Sequence, residues 1–114
     1  NSNLRPSLVG NYLFTISLEG YLVVFDKNNG NIIRVTDIFR NFKKKIRDKI
    51  KPVGFILGIK NIYLTTDNGR LLIIDIKSGK TNLVLKIDND RISRPFVLDR
   101  SLFVVKDDAI IKLD

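Results

Sequence analysis

The sequence has 114 residues, a net charge of +8 at pH 7 and no Cys, Met, Trp or His. These absences exclude disulfides, thiolate nucleophiles, Cys/His metal sites and every catalytic triad with an imidazole base. The positive charge suits an acidic partner, although an AT-rich coding bias would also raise the Lys content. No apolar run approaches the ~18 residues that a membrane-spanning helix needs.

The first 35 residues predict four short strands separated by turns. Residues 1–5 are polar and are expected to be poorly ordered. Apolar and β-branched runs favour strands, and Gly, Asn and Asp between them favour tight turns. The strands are predicted at residues 6–9, 12–17, 21–25 and 32–35.

The same order of strands and turns occurs twice more. After an interruption, strands are predicted at residues 53–57, 62–65, 71–74 and 82–87. A third copy predicts strands at residues 96–98, 101–105 and 109–113. Self-similarity at a period of about 40 residues is typical of repeat architectures. Four short antiparallel strands per unit are the composition of a β-propeller blade.

The third strand of a unit gives a separate argument for blades. Residues 21–25 (YLVVF) and 71–74 (LLII) are apolar without alternation, whereas a sheet with one wet face would alternate. We therefore predict an all-β fold of antiparallel four-stranded propeller blades with one short helical insertion. A two-layer β-meander is the alternative. The predicted parts are a blade at 1–35, a basic helical insertion at 36–51, a blade at 52–88 and a partial blade lacking its last strand at 89–114.

The insertion is predicted to be a helix because its large apolar residues are spaced three or four apart. These residues are Phe39, Phe42, Ile46 and Ile50. Thr36 or Asp37 could cap the start of the helix, and Pro52 limits its end. The opposite face is basic, since Asp48 is the only acid between residues 43 and 51.

Three interpretations of this basic face stay open. The helix could pack on the blades and leave its lysines in solvent, or the basic face could contact a protein partner or a membrane surface. Nucleic-acid binding is the least supported, because aromatic interleaving and any known motif are missing, and no nucleic-acid partner is predicted. The candidate partner-contact residues are Lys43, Lys44, Lys45 and Arg47.

No catalytic, cofactor-binding or metal-binding residues are predicted. Residues 26–30 resemble an EF-hand loop, but the Gly comes one position early and no Glu closes the loop. Residues 78–80 lack the upstream Gly of a P-loop. Both segments are predicted to be turns.

The repeat unit resembles that of the pyrroloquinoline-quinone-type (PQQ-like) β-propeller family. The family's unit has an opening Pro, an aromatic residue in the second strand, a Gly turn, a strand ending in Asp and a Gly-Lys turn. The first copy has Pro6, Tyr12, Gly20, Asp26 and Gly30. The second copy has Pro52, Tyr63, Gly69, Asp75, Gly79 and Lys80. The third copy keeps Pro95, Phe103 and Asp114.

One departure from the family's pattern concerns the contact between blades. The family usually has a Trp after the Gly-Lys turn, where it docks one blade on the next. Ile33 and Val84 or Leu85 stand near that place in this sequence. An aliphatic side chain is expected to fill the gap with less buried area.

The resemblance implies a non-catalytic protein-binding scaffold without a cofactor. The sequence is most similar to BamB-like lipoproteins, which implies partners in the outer-membrane assembly machinery and a location on the periplasmic face of the outer membrane. It looks like the C-terminal two to three blades of a larger ring. Because so few blades cannot close, the isolated chain is expected to self-associate. The alternatives are a piece of a quinoprotein dehydrogenase, whose usual Trp and adjacent Cys residues are absent, and a small self-assembling β domain.

Overall fold

Residues 3–114, which the computed structural model describes, form three antiparallel sheets and one helical turn. The first sheet contains β1 (Ser7–Val9), β2 (Tyr12–Ile16), β3 (Tyr21–Asp26) and β4 (Ile32–Asp37) in that order. After α1 (Lys44–Arg47), the second sheet contains β5 (Pro52–Leu57), β6 (Asn61–Thr66), β7 (Arg70–Asp75) and β8 (Thr81–Lys86). The third sheet contains β9 (Phe96–Leu98), β10 (Ser101–Lys106) and β11 (Ala109–Lys112).

This architecture confirms the prediction of an almost all-β chain of antiparallel blades. The proposed division into 1–35, 36–51, 52–88 and 89–114 stays a prediction, and the first sheet runs two residues beyond its first boundary, to Asp37. Residues 1 and 2 lie outside the described residues. The expected poor order is wrong for Asn3 and Leu4, because Asn3 forms a β-bridge with Ser17 and the Leu4 N–H donates to the Ile16 carbonyl at 2.7 Å.

The core lies between the facing sides of the first two sheets. Leu22 and Val24 of β3 point into one apolar cluster together with Leu72 and Ile74 of β7. Leu71 is also buried, and because neighbouring side chains of a strand point to opposite faces, it lies on the other face of the second sheet. β7 is therefore covered on both faces, as its unbroken apolar run predicted.

The residue before the third strand of each blade has a positive φ in all three sheets. Gly20, Gly69 and Asp108 occupy this position with φ values of 94°, 77° and 65°. A Cβ atom at Gly20 would collide with the ring of Phe39, and one at Gly69 would collide with the Asp88 carbonyl. In the first two sheets Gly thus permits both the positive φ and the close passage of the chain that leaves the blade.

The first sheet is docked on the second by an arginine. Arg34 of β4 donates from Nη2 to the Ile76 carbonyl at 2.6 Å and from Nη1 to the Lys77 carbonyl. The Thr81 hydroxyl adds a bond to the Ile38 carbonyl at 2.8 Å. A charged donor forms stronger hydrogen bonds than a neutral one, so these contacts fix the two blades relative to each other.

The expectation that an aliphatic residue fills the place of the family's Trp is wrong for Ile33 and Val84. Both side chains are exposed, and Leu85 is half-buried. The cause at Ile33 is a β-bulge: Val24 pairs with Arg34 and Phe25 pairs with Ile32, so that Ile33 is passed over. Because of the bulge, the side chain that points towards the second sheet is that of Arg34 and not that of Ile33.

The predicted helix over residues 36–51 is also wrong in its extent, because α1 is a single turn of four residues. Thr36 and Asp37 belong to β4 and do not cap a helix. The Ile38 N–H donates to the Gly20 carbonyl at 2.9 Å, which holds the chain against the first sheet where the helix was expected to start. Phe39 and Ile50 are nevertheless buried, as their spacing suggested, whereas Ile46 is exposed.

We expect Thr65→Val to stabilise the protein by about 1 kcal/mol, because a buried hydroxyl without a partner carries a desolvation cost. Thr65 is fully buried, and its Oγ1 has no hydrogen-bond partner within the described part of the chain. Urea unfolding of the variant measures the change.

Thr66→Val is the matched control for this substitution. Thr66 is equally buried, but its hydroxyl contacts Asn68 Oδ1 at 2.5 Å and accepts from the Arg70 N–H at 3.2 Å. Its loss should cost about 1 kcal/mol. Equal destabilisation by both variants would contradict the assignment at Thr65.

Candidate protein-binding surface

The basic segment, residues 43–51, connects the first sheet to the second. Lys43 precedes α1 with an extended backbone, at φ −62° and ψ 147°. The Arg47 and Asp48 N–H groups donate to the Lys43 and Lys44 carbonyls at 2.9 Å each, which closes the single turn. The helix ends at Arg47, and Pro52 begins β5.

Both ends of the basic segment are anchored. Phe39 and Ile50 are buried in the core between the sheets, and the rings of Phe39 and Phe42 pack edge to face with centroids 5.6 Å apart. At the far end the Lys51 N–H donates to Asp67 Oδ1, and the Asp67 N–H donates to the Lys51 carbonyl, both at 2.9 Å. The segment is therefore presented from a fixed base.

The four predicted contact residues have different surroundings. Arg47 pairs with Asp37 at 2.5 Å, and both side chains are about one quarter exposed. The hydrogen bond to Asp37 raises the pKa of Arg47 above its already high ordinary value. Lys44 pairs with Asp48 at 3.4 Å in solvent, where such a pair contributes little. Within residues 3–114, Lys43 and Lys45 make no ion pair and no side-chain hydrogen bond.

A shallow cavity of about 310 Å³ adjoins this surface. Its apolar part is formed by Ile46 and Ile50, and its polar rim by Lys45, Lys49, Asp67 and Asn68. Ile46 is exposed although it is a large apolar residue. The surface therefore combines an apolar patch with positive charge, a composition that suits an apolar side chain beside an acidic one.

The repeat residues predicted to be structural lie in turns or, for Asp26 and Asp75, at the strand ends next to them. The Asp26 carboxylate accepts from the Asn28 N–H, and the Asp75 carboxylate accepts from the Ser78 N–H, both at 2.8 Å. The bond from Ser78 lowers the pKa of Asp75. Gly30 and Gly79 close these turns with φ of 73° and 72°. Of residues 3–114, no three acidic side chains lie close enough together to hold a metal ion.

Sequence reasoning missed the ion-pair cluster that joins the segment after β8 to the end of β10. Lys106 Nζ lies 3.0 Å from Asp88 and 2.8 Å from Asp107. These bonds raise the pKa of Lys106. The pKa of Asp88 is lowered mainly by the hydrogen bond from the Asp90 N–H and next by the bond from Lys106. A weak signal existed, since Lys106 directly follows the apolar residues 102–105 of β10.

Sequence reasoning also missed the role of Arg34. It is a lone cation within the β-branched run of β4, and charged residues inside such runs usually have a partner. Nothing local indicated that its partners are the carbonyls of Ile76 and Lys77. No helix in the described residues is long and apolar enough to cross a membrane.

The fold is similar to solved β-propellers. The match to the WD40 β-propeller domain of Doa1 has a TM-score of 0.70 and 14% identity, and covers 96% of this chain and 35% of that one. The β-propeller domain of Cps50 (Swd1) from Myceliophteria thermophila gives a TM-score of 0.52 and 15% identity over 87% of this chain and 46% of that one. The quinohemoprotein alcohol dehydrogenase from Comamonas testosteroni gives a TM-score of 0.67 and 18% identity. That match covers 91% of this chain and 17% of the dehydrogenase.

The three sheets are therefore β-propeller blades. The chain spans less than half the length of each of these three proteins. At such low identities the likeness concerns the fold, which unrelated functions share. No protein-family model and no curated protein matches the sequence.

We expect Arg47→Gln to lower the midpoint of thermal unfolding, because it removes the ion pair that joins the basic segment to the end of β4. Lys45→Gln removes the same charge from the same turn but breaks no described contact, so its midpoint should stay unchanged. Circular dichroism melting compares the two variants. An equal drop in both would mean that the net charge, and not the Asp37 contact, stabilises the segment.

A second expectation concerns Asp88, whose pKa is lower in the folded than in the unfolded chain. The Asp88 carboxylate makes its full contribution to stability above its pKa in the unfolded chain, about 3.9. This contribution is lost as the pH falls through the pKa of Asp88 in the folded chain. Asp88→Asn should therefore lower the free energy of unfolding at pH 6. Below pH ~4 the free energy of unfolding of the variant should fall less steeply with decreasing pH than that of the wild type.

Urea midpoints between pH 2.5 and pH 6 measure this difference in slope. Asp90→Asn is the control, because the Asp90 carboxylate makes no ion pair or hydrogen bond within the described part of the chain, and its N–H to Asp88 is retained. A wild-type slope in Asp88→Asn would refute the role of this carboxylate.

Proposed function

We propose that this chain is a non-catalytic protein-binding scaffold built from PQQ-like propeller blades. The observation that carries the proposal is the basic segment, which is anchored at both ends and presents Lys43 and Lys45 beside the exposed Ile46. A surface fixed in advance loses little conformational entropy when it binds. Its charge and its apolar patch together suit an acidic polypeptide with an apolar side chain.

The two parts of this surface have different roles in the proposed binding. The lysines attract an acidic partner over a distance of about one Debye length, ~8 Å at physiological salt, and speed its arrival. Ile46 and the adjoining cavity supply the contact that is insensitive to salt. Arg47 holds the turn in place through Asp37 and is a positioning residue. The expected self-association concerns a different surface, the open faces of the outer sheets.

A more specific role follows from the resemblance to BamB-like lipoproteins. The Gly and Asp positions of the repeat support a PQQ-like unit, because one backbone bond closes the turn in each of the first two blades. The Gly30 N–H donates to the Asp26 carbonyl, and the Gly79 N–H donates to the Asp75 carbonyl, both at 2.8 Å. In this role the partners belong to the outer-membrane assembly machinery, and the protein lies on the periplasmic face of the outer membrane. Membrane-surface contact through the basic segment is the related alternative.

The competing class is a quinoprotein dehydrogenase. This alternative is retained because the fold is similar to that of a quinohemoprotein alcohol dehydrogenase. The sequence lacks the Trp and Cys residues that such enzymes use around the quinone. Titration of the full chain with pyrroloquinoline quinone and Ca²⁺, followed by absorbance, tests this class. A saturable spectral shift would overturn the non-catalytic assignment.

The basic surface is tested with a fluorescein-labelled acidic peptide that contains alternating Glu and Leu. We expect the triple variant Lys43→Gln, Lys44→Gln, Lys45→Gln to bind this probe roughly tenfold more weakly, a loss of about 1.4 kcal/mol. Ile46→Ser should weaken binding without changing its salt dependence. Fluorescence anisotropy between 50 and 300 mM salt measures both effects.

The matched control is Lys27→Gln, Lys60→Gln, Lys80→Gln, which removes the same charge from turns outside the basic segment. Equal weakening by the two triple variants would reduce the binding to net charge and overturn the proposed surface. Vesicles with and without 30% anionic lipid test the membrane alternative. Binding to the anionic vesicles but not to the peptide would replace the protein partner by a lipid surface.

A further inference from the structure

The two outer sheets leave apolar faces open. In β3, Tyr21, Val23 and Phe25 point away from the core between the sheets, and none of them is buried. In the third sheet, Phe96 and Phe103 stack with ring centroids 5.7 Å apart on the face that points away from the second sheet. Ile110 is 64% exposed on that same face.

The repeat shows what these faces are built to contact. Ile110 follows the turn of its blade at the position that Leu22 and Leu71 occupy in the other two blades. Leu22 and Leu71 are both buried, each facing the next blade. The open face of the third sheet is therefore the counterpart of a face that elsewhere packs on a following blade.

The open face of the first sheet corresponds to the face of the second sheet that packs on the preceding blade. Leu13 and Val23 occupy the repeat positions of Ile62 and Leu72, which are fully buried against the preceding blade. Leu8, which pairs with Leu13, is 53% exposed. In the second sheet the residue in the place of Leu8 is Leu57, which packs against the core cluster.

We propose that the third sheet of one copy docks on the first sheet of a second copy, head to tail. The open face of the third sheet then contacts a following blade, as the equivalent faces of the first two sheets do. The open face of the first sheet contacts a preceding blade, as the equivalent face of the second sheet does. The contact is heterologous, so it joins different surfaces of the two copies and can continue to further copies. Ile110 and Leu8 lie within it. This inference rests on the blade fold and not on the proposed binding of an acidic partner.

Light scattering on a sizing column, with the full chain in 0.15 M salt, tests the proposal. We expect the wild type to elute above the 13.1 kDa of one chain. Leu8→Lys and Ile110→Lys should each weaken self-association at least about tenfold, because each places a charge in the contact. The control is Ile59→Lys, since Ile59 is 98% exposed in the turn between β5 and β6. It should associate like the wild type.

An equal mixture of Leu8→Lys and Ile110→Lys separates a head-to-tail contact from other modes. The first variant keeps an intact third sheet and the second keeps an intact first sheet, so the mixture should form a complex of two chains that neither variant forms alone. A wild-type monomer, association that persists in either single variant, loss of association in Ile59→Lys, or no complex in the mixture would each overturn the proposal.

Discussion

The packing of one sheet face on the next is the interaction on which the rest of this structure depends. Strands of three to six residues cannot bury enough apolar surface within a single sheet. Stacking three sheets covers β7 on both sides, with Leu71 towards one neighbour and Leu72 towards the other. The chain between blades must therefore pass close to the sheet that it leaves, which requires the Gly at positions 20 and 69.

The two contacts between blades use different polar chemistry although they arise from one repeat. Arg34 joins the first two blades by donating to carbonyl groups, whereas the equivalent residue of the second blade is Leu83, which is exposed. The third blade is joined through Asp88, which accepts from Lys106 of β10. A repeat thus conserves the apolar pattern of its strands while each junction acquires its own polar contacts.

The basic segment depends on the same packing. Its apolar residues Phe39 and Ile50 fill space between the sheets, and this leaves only one helical turn for the cations. Arg47 is used to hold that turn through Asp37, so Lys43 and Lys45 carry the surface charge that a partner would meet. The blades hold the backbone of this segment at both ends.

The sequence by itself determined the strands, their turns and the blade architecture. Apolar runs of β-branched residues and Asn, Asp and Gly turns are local signals, and residues such as Gly69 and Asp75 lie where their pattern predicted them. Only the tertiary structure decided the length of α1, the bulge at Ile33, and the partners of Arg34, Arg47 and Lys106. Helical spacing in residues 39–50 indicated the burial of Phe39 and Ile50 but not the exposure of Ile46 or the backbone conformation. The bond from Ile38 to Gly20 and the packing of Phe39 outweigh the helical preference of a few residues. Those contacts join residues distant in the sequence, and no local pattern encodes them.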